Sequence, residues 1–309
     1  MQNQVNILEG CEMGIGTWAW GDRMLWGFGQ GYAEPDLKAV FDMCVQAGVK
    51  FFDTAESYGQ GKSEEILGRF LKNEEHDLII ASKFMPYPWR LNRRTLLRAL
   101  RSSLKRLGLN KLGLYQMHWP FPPVKIESWM DAMADAFQAG LISAVGVSNY
   151  DQSQMQRAFD SLAREGISLT SNQVEYHLLN RKIEKNGLLE KAKKQGIQII
   201  AYSPLAMGML TGKYSTNQLP SGVRGWRYNT KELQRIQPLL TTMRKIGAGL
   251  SKTPAQIALN WIICKGAIPI PGAKTLAQAE QNLGALGWRL SADELAELDL
   301  VSDQISREI

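Results

Sequence analysis

Asp53, Tyr58, Lys83 and His118 are side chains able to share and pass a proton, and three of them directly follow short apolar runs. Val49-Lys50-Phe51-Phe52 leads to Asp53, Leu78-Ile79-Ile80-Ala81-Ser82 to Lys83, and Leu112–Met117 to His118. Runs of this kind read as buried strands. A tyrosine hydroxyl beside a lysine ammonium has its phenolate favoured, which should lower its pKa toward a value useful for proton transfer. Asp53 can hold Lys83 charged and oriented. His118 can hydrogen-bond an incoming oxygen or tune Tyr58, and no metal is needed. Singly, each residue has an ordinary reading: Asp53 caps a turn, Tyr58 lies in a loop beside Gly59 and Gly61, and His118 before Trp119-Pro120 is structural. Jointly, complementary groups on consecutive strand ends point to a proton-transfer site.

The elements that must position them are legible as an alternation. Strands are expected at Met13–Trp18, Val49–Phe52, Leu78–Ser82, Leu112–Met117, Ile142–Val147, Leu169–Val174, Ile197–Ala201 and Ile268–Ile270. Helical stretches fall between them at Asp36–Ala47, Glu64–Leu71, Arg93–Leu107, Ser128–Ala139, Asp151–Arg164, Leu188–Gln195 and Pro254–Cys264. Parallel strands need helical crossovers, so the pattern predicts a closed (β/α)8 TIM barrel in a single domain over residues 1–309. An open doubly wound sheet is the alternative. Thr275 with Gln278 and Ser291 with Glu294 fit capping boxes, and Gly48, Gly140, Gly166 and Gly196 sit where left-handed C-terminal caps belong.

A barrel places its site at the carboxyl ends of its strands, which gathers the four polar residues on one rim. The same rule makes the loops after strands seven and eight candidates for phosphate: Ser203–Lys213 and Pro271–Thr275. Small residues there allow close backbone approach, Lys274 adds charge, and the helix opening at Thr275 offers free N–H groups. Ser148, Asn149 and Gln173 carry amide and hydroxyl groups suited to a carboxamide. Gly14-Ile-Gly16-Thr-Trp-Ala19 matches a loose dinucleotide pattern but runs into tryptophans instead of opening a helix. Lys62 has YxxxK spacing from Tyr58, yet two intervening glycines disfavour the helix such a pair requires, so Lys83 is the better partner.

Composition excludes several classes. The 309 residues are 44% hydrophobic and 21% charged, with no apolar stretch long enough to cross a bilayer and neither a positive nor an apolar run at Met1–Asn6, so a cytoplasmic protein, or the mature form of one targeted elsewhere, is expected. Three cysteines without CxxC spacing support neither a disulfide framework nor a metal site. The net charge of +6 is unevenly placed, since Leu78 to Ile126 contains no Asp or Glu. Arg94, Arg98, Arg101 and Lys105 recur at helical spacing opposite Leu97, Leu100, Leu104 and Leu107. The plain reading is a solvated face; the alternative is docking to an acidic or anionic surface. Nucleic acid is not expected, because no aromatic residues interleave with the stripe.

Phe51-Phe-Asp-Thr-Ala-Glu-Ser-Tyr-Gly59, Ser82-Lys83, His118-Trp-Pro120, Gly146-Val-Ser-Asn149, Asn172-Gln-Val-Glu-Tyr176 and Tyr202-Ser-Pro-Leu205 resemble, in order, motifs of the aldo-keto reductases. The likeness spans the chain, and its texture is similar to plant and cyanobacterial members, pyridoxal reductases among them. It implies a TIM barrel binding NADPH and reducing aldehydes or ketones, with Tyr58 as general acid, Lys83 and Asp53 tuning it and His118 orienting the carbonyl. It further implies cofactor contacts at Gly16, Thr17, Trp18 and Asp53, the carboxamide at Ser148, Asn149 and Gln173, and the ring against Tyr202. Ser203, Leu205, Gly208, Leu210 and Lys213 would follow the pyrophosphate. Gly272, Lys274, Thr275, Gln278 and Asn282 would surround the adenosine. Gly272 and Gln278 replace the lysine and arginine of many members, and Lys274 and Thr275 stand as compensation for them. Trp20, Trp26, Trp89, Trp119, Phe121 and Trp226 are the expected substrate walls. Two other functions fit the same residues: a cofactor-sensing subunit like potassium-channel β subunits, which resemble this family, and a Schiff-base aldolase using Lys83.

Overall fold

The computed structural model describes residues 6–72, 74–215, 219 and 229–307, so Trp226 lies outside the described residues. Eight parallel strands run in sequence order: β1 (Gly14–Gly16), β2 (Phe51–Asp53), β3 (Ile79–Phe84), β4 (Leu112–Met117), β5 (Ile142–Ser148), β6 (Leu169–Glu175), β7 (Gln198–Tyr202) and β8 (Ile268–Pro269). A bridge from Gly16 to Gly272, with the Gly16 amide donating to the Pro271 carbonyl at 3.2 Å, draws β1 and the exit of β8 together. The sheet is therefore a nearly closed (β/α)8 barrel and not an open doubly wound sheet.

The period of two along each strand explains where the polar residues go. An inward layer of Phe51, Ala81, Leu114, Ala144, Ile200 and Ile268 packs with Leu8, which enters from the turn before β1. Two residues on from Phe51, Ala81, Leu114, Ala144 and Ile200 come Asp53, Lys83, Gln116, Gly146 and Tyr202, and Gln173 stands two on from Ser171 in β6. Side chains of one phase share a face, so an apolar plug is followed by a polar layer at the carboxyl end. Gly146 is required there: a Cβ would lie 2.5 Å from Ser171 Oγ and 2.9 Å from Gln116 Cγ.

Outside the barrel, helices bury their apolar faces against the sheet. In the helix Arg93–Leu107, Leu100, Leu104 and Leu107 are buried and Leu97 half-buried. Arg94, Arg98, Arg101 and Lys105 are exposed and pair with no carboxylate among the described residues. Gly48, Gly140, Gly166 and Gly196 have φ of 85°, 70°, 70° and 69°, as helix-ending glycines should. Ser291 and Glu294 form the full capping box, with bonds of 2.7 and 3.3 Å. At Thr275 only half forms: Thr275 Oγ1 accepts from the Gln278 amide, while the Gln278 side chain accepts from the Lys274 amide at 2.9 Å. Helices at Thr230–Arg235 and Gln237–Leu250 add to those expected, and those at Leu276–Leu283 and Ala292–Arg307 follow the caps read at Thr275 and Ser291. None among the described residues is long and apolar enough to cross a membrane.

Candidate active site

The polar layer is organised by Asp53, which is 1% exposed. Its Oδ2 accepts from Lys83 Nζ at 2.5 Å, and its Oδ1 accepts from Gln116 Nε2 at 3.0 Å and Gln173 Nε2 at 2.8 Å. Lys83 is fully buried, and its ammonium also donates to the Thr54 carbonyl at 2.9 Å and to the Tyr58 hydroxyl at 3.2 Å. Three acceptors match the three protons of an ammonium. The Tyr58 and His118 rings meet edge to face with centroids 5.8 Å apart, and His118 Nδ1 lies 3.4 Å from Ser57 Oγ. Barrel geometry thus brings together all four predicted residues. Gln116 and Thr54 belong to the same cluster and were not anticipated.

Beyond Tyr58 the chain turns through Gly59, Gln60 and Gly61 with φ of 54°, 56° and 90° before the helix Lys62–Leu71 begins. This left-handed turn sends Lys62 to Glu65 at 3.0 Å, so Lys62 is no partner of Tyr58.

Burial and charge act against each other on these groups. For Lys83, burial pulls the pKa down, but Asp53 and then Tyr58 outweigh it and the ammonium is held above the ordinary lysine value. For Tyr58, burial pushes the hydroxyl up and exceeds the lowering pull of Lys83. The expected net lowering of Tyr58 is therefore corrected: the hydroxyl keeps its proton at neutral pH. His118 is pushed down to about 3, first by burial and then by Lys83, so its imidazole is neutral.

A cavity of about 740 Å³ opens above this layer. Asp53, Ser57, Tyr58 and His118 border it, and so do Lys274, Gln278 and Asn282. Gly16, Trp18, Ser148, Asn149, Gln173, Tyr202, Ser203, Leu205, Gly208, Lys213 and Gly272 line it as well. Three expected contacts do not reach it. Thr17 is buried with its hydroxyl on the Asp53 carbonyl at 3.0 Å, Leu210 is in the core, and Thr275 caps its helix. Asn149 is left-handed at φ 63°, and donates to Ser148 Oγ and the His118 carbonyl, both at 3.1 Å. Tyr202 donates to Asn149 Oδ1 at 3.0 Å. The loop after β7 carries Ser203, Ala206 and Met207 at φ of 50°, 49° and 54°, with Gly208 at 96°. Non-glycine residues in this region are strained, and such strain gathers at binding sites.

Residues 12–303 match the Aldo/keto reductase family. The chain belongs to that family. It is 40% identical to pyridoxal reductase, chloroplastic, of Arabidopsis thaliana over 94% of this chain and 83% of that protein. It is 32% identical to L-glyceraldehyde 3-phosphate reductase of Escherichia coli K12, over 89% of this chain and 86% of that protein. An aldo/keto reductase of Klebsiella pneumoniae, solved in complex with NADP and acetate, superposes with a TM-score of 0.74 at 27% identity, covering 94% of this chain and 91% of that one.

Around Tyr58 this aldo/keto reductase is walled by aromatic residues, though not all those expected. Trp18 lies 6.1 Å from the Tyr58 ring and 5.5 Å from Trp26, and all three border the cavity. Trp18, assigned from the sequence to the cofactor, thus also flanks the space above Tyr58. Trp119 borders the cavity and stacks on Phe121 at 5.3 Å. Trp20 is not a wall: it is fully buried, packs on Phe70 at 5.6 Å and donates to the Ala273 carbonyl. Trp89 is not one either, being 72% exposed and stacked on Tyr87 at 4.8 Å away from the cavity. Lys274 Nζ sits 4.7 Å from the Tyr32 ring and 5.6 Å from the Trp26 ring, tying the loop that carries those aromatics to the loop after β8.

Proposed function

We propose that this aldo/keto reductase reduces aldehydes and ketones with NADPH, Tyr58 giving the proton to the carbonyl oxygen. The observation that carries the reading is the Tyr58 hydroxyl, held 3.2 Å from a buried ammonium and bordering a cavity of about 740 Å³. The cradle fits such a ligand. A Cβ at Gly16 would lie 2.9 Å from the Ile270 carbonyl oxygen, so only glycine lets β1 approach the segment after β8 this closely where both border the cavity. Lys213 and Lys274 border the cavity and offer cations to phosphates.

Bound NADPH supplies the hydride. Ser148, Asn149 and Gln173 would hold its carboxamide and Tyr202 its ring, and Ser203, Leu205, Gly208 and Lys213 would hold the pyrophosphate. Gly272, Lys274, Gln278 and Asn282 would hold the adenosine end, with Lys274 supplying the cation for a 2′-phosphate. Neutral His118 donates a hydrogen bond to the carbonyl oxygen, and Tyr58 protonates the alkoxide as it forms. Lys83 stays charged and compensates the phenolate left behind. A Schiff-base role for Lys83 fits less well, because its ammonium is occupied by three acceptors and does not border the cavity. Trp18, Trp26 and Trp119 favour planar aromatic aldehydes, and the pyridoxal reductase relative makes pyridoxal the first substrate to try.

The test is NADPH oxidation with pyridoxal, aromatic aldehydes, methylglyoxal and succinic semialdehyde, for the native chain and Tyr58→Phe. Turnover should fall by roughly 10²–10⁴-fold in the variant while NADPH still binds, and kcat/KM should be higher with NADPH than NADH. Full turnover by Tyr58→Phe refutes the mechanism. Cofactor binding without turnover of any carbonyl by the native chain favours a sensing role.

A further inference from the structure

Tyr58 and Lys83 stand on different segments, and the bond between them depends on how those segments are joined. Two residues before Tyr58, Glu56 turns inward, with its side chain 7% exposed. Two residues after Lys83, the Met85 amide donates to Glu56 Oε1 at 2.8 Å. Arg90 closes the junction. Its Nη2 donates to Glu56 Oε2 at 3.0 Å, its Nη1 to Glu56 Oε1, and the same Nη1 to the Met85 carbonyl at 2.9 Å. The guanidinium lies 4.8 Å from the Phe84 ring and 5.1 Å from the Tyr87 ring, so its plane is packed as well as bonded. The Phe84 carbonyl in turn accepts from the His118 amide at 2.9 Å. Phe84 and Met85 are thus the point from which the Lys83, Tyr58 and His118 segments are all held. Neither Glu56 nor Arg90 borders the cavity.

We propose that the Glu56–Arg90 pair is a positioning device for proton transfer, setting the Tyr58 hydroxyl against Lys83 without touching ligand. A planar fork gripping a carboxylate in two bonds fixes orientation as a point charge does not. Displacement of a reacting group by about 1 Å can cost about 10²-fold in rate. The inference rests on Tyr58 being the proton donor, and the experiment keeps the two apart.

Arg90→Met, Arg90→Lys and Glu56→Gln are compared with the native chain, and Arg90→Met is repeated in a Tyr58→Phe background. In Arg90→Met, kcat should fall about 10- to 100-fold while KM and the NADPH Kd change by less than about 2-fold. Arg90→Lys should recover part of kcat. In the Tyr58→Phe background the Arg90 change should cost little more, because residues acting through one group are not additive. Should Arg90→Met fail to fold, Glu56→Gln, which keeps shape and the Met85 bond but loses charge, carries the same expectation. Native kcat in folded variants overturns the proposal, as does an equal further loss in the Tyr58→Phe background. If Tyr58→Phe alone keeps full turnover, it is the proton-donor reading that has failed.

Discussion

Asp53 and Lys83 form a fully buried ion pair, Nζ to Oδ2 2.5 Å, between the carboxyl ends of adjacent strands. Taking two charges out of water is costly, and the pair persists because Gln116, Gln173 and the Thr54 carbonyl satisfy what remains of each group. This arrangement keeps a positive charge under Tyr58 that solvent cannot screen.

Lys83→Met leaves the Asp53 carboxylate buried and uncompensated. Stability should drop by about 3–5 kcal/mol, read by urea unfolding, and turnover should fall by at least about 10²-fold. Adding Asp53→Leu should restore much of the stability and none of the turnover. A stable, active Lys83→Met protein would contradict the role given to the pair.

His118 predicts a pH dependence whose sign follows from its lowered pKa of about 3. The unfolded chain binds a proton on this histidine near pH 6.5, whereas the folded chain does not until near pH 3. Between those values the unfolded state carries more protons, so stability falls with falling pH, by about 1.4 kcal/mol per unit for this group. His118→Gln should flatten that slope between roughly pH 4 and 6.5. The same neutrality means that kcat should show no ionisation near pH 6.5, and that the alkaline limb belongs to Tyr58, above the ordinary tyrosine value. An acid limb near pH 6.5 that disappears in His118→Gln would contradict a neutral imidazole.

The four central residues were legible because strand ends are legible: apolar runs stop at Asp53, Lys83 and His118, and closure of a barrel does the rest. Gln116 left a signal that the same argument overlooked. It is a polar residue in an apolar run, in phase with Leu114 and opposite Lys83 in the register. Which tryptophans face the cavity was not legible, because loops have no period. Trp18 and Trp20 are two positions apart, yet a turn after Gly16 leaves one on the rim and folds the other into the core. The direction of the Tyr58 shift was missed for a similar reason. A neighbouring ammonium can be inferred from residue types, whereas the burial that opposes it depends on packing by distant segments.

The aromatic walls give the last prediction. Trp18 and Trp119 border the cavity beside Tyr58 and His118, whereas Trp89 stacks on Tyr87 outside it. A planar substrate ring gains about 0.5–1.5 kcal/mol from each aromatic partner beyond the area it buries, and a small aliphatic carbonyl has no ring face to gain it with. Trp18→Ala and Trp119→Ala should therefore raise KM for pyridoxal or benzaldehyde by roughly 2- to 10-fold each, with a smaller effect on methylglyoxal. Trp89→Ala serves as the outside control and should leave both substrates unchanged. The comparison is a matched set of kcat/KM values for the three variants. Equal losses on aromatic and aliphatic carbonyls would mean that Trp18 and Trp119 support the loops and do not select a ring, and the aromatic substrate class would then have to be abandoned.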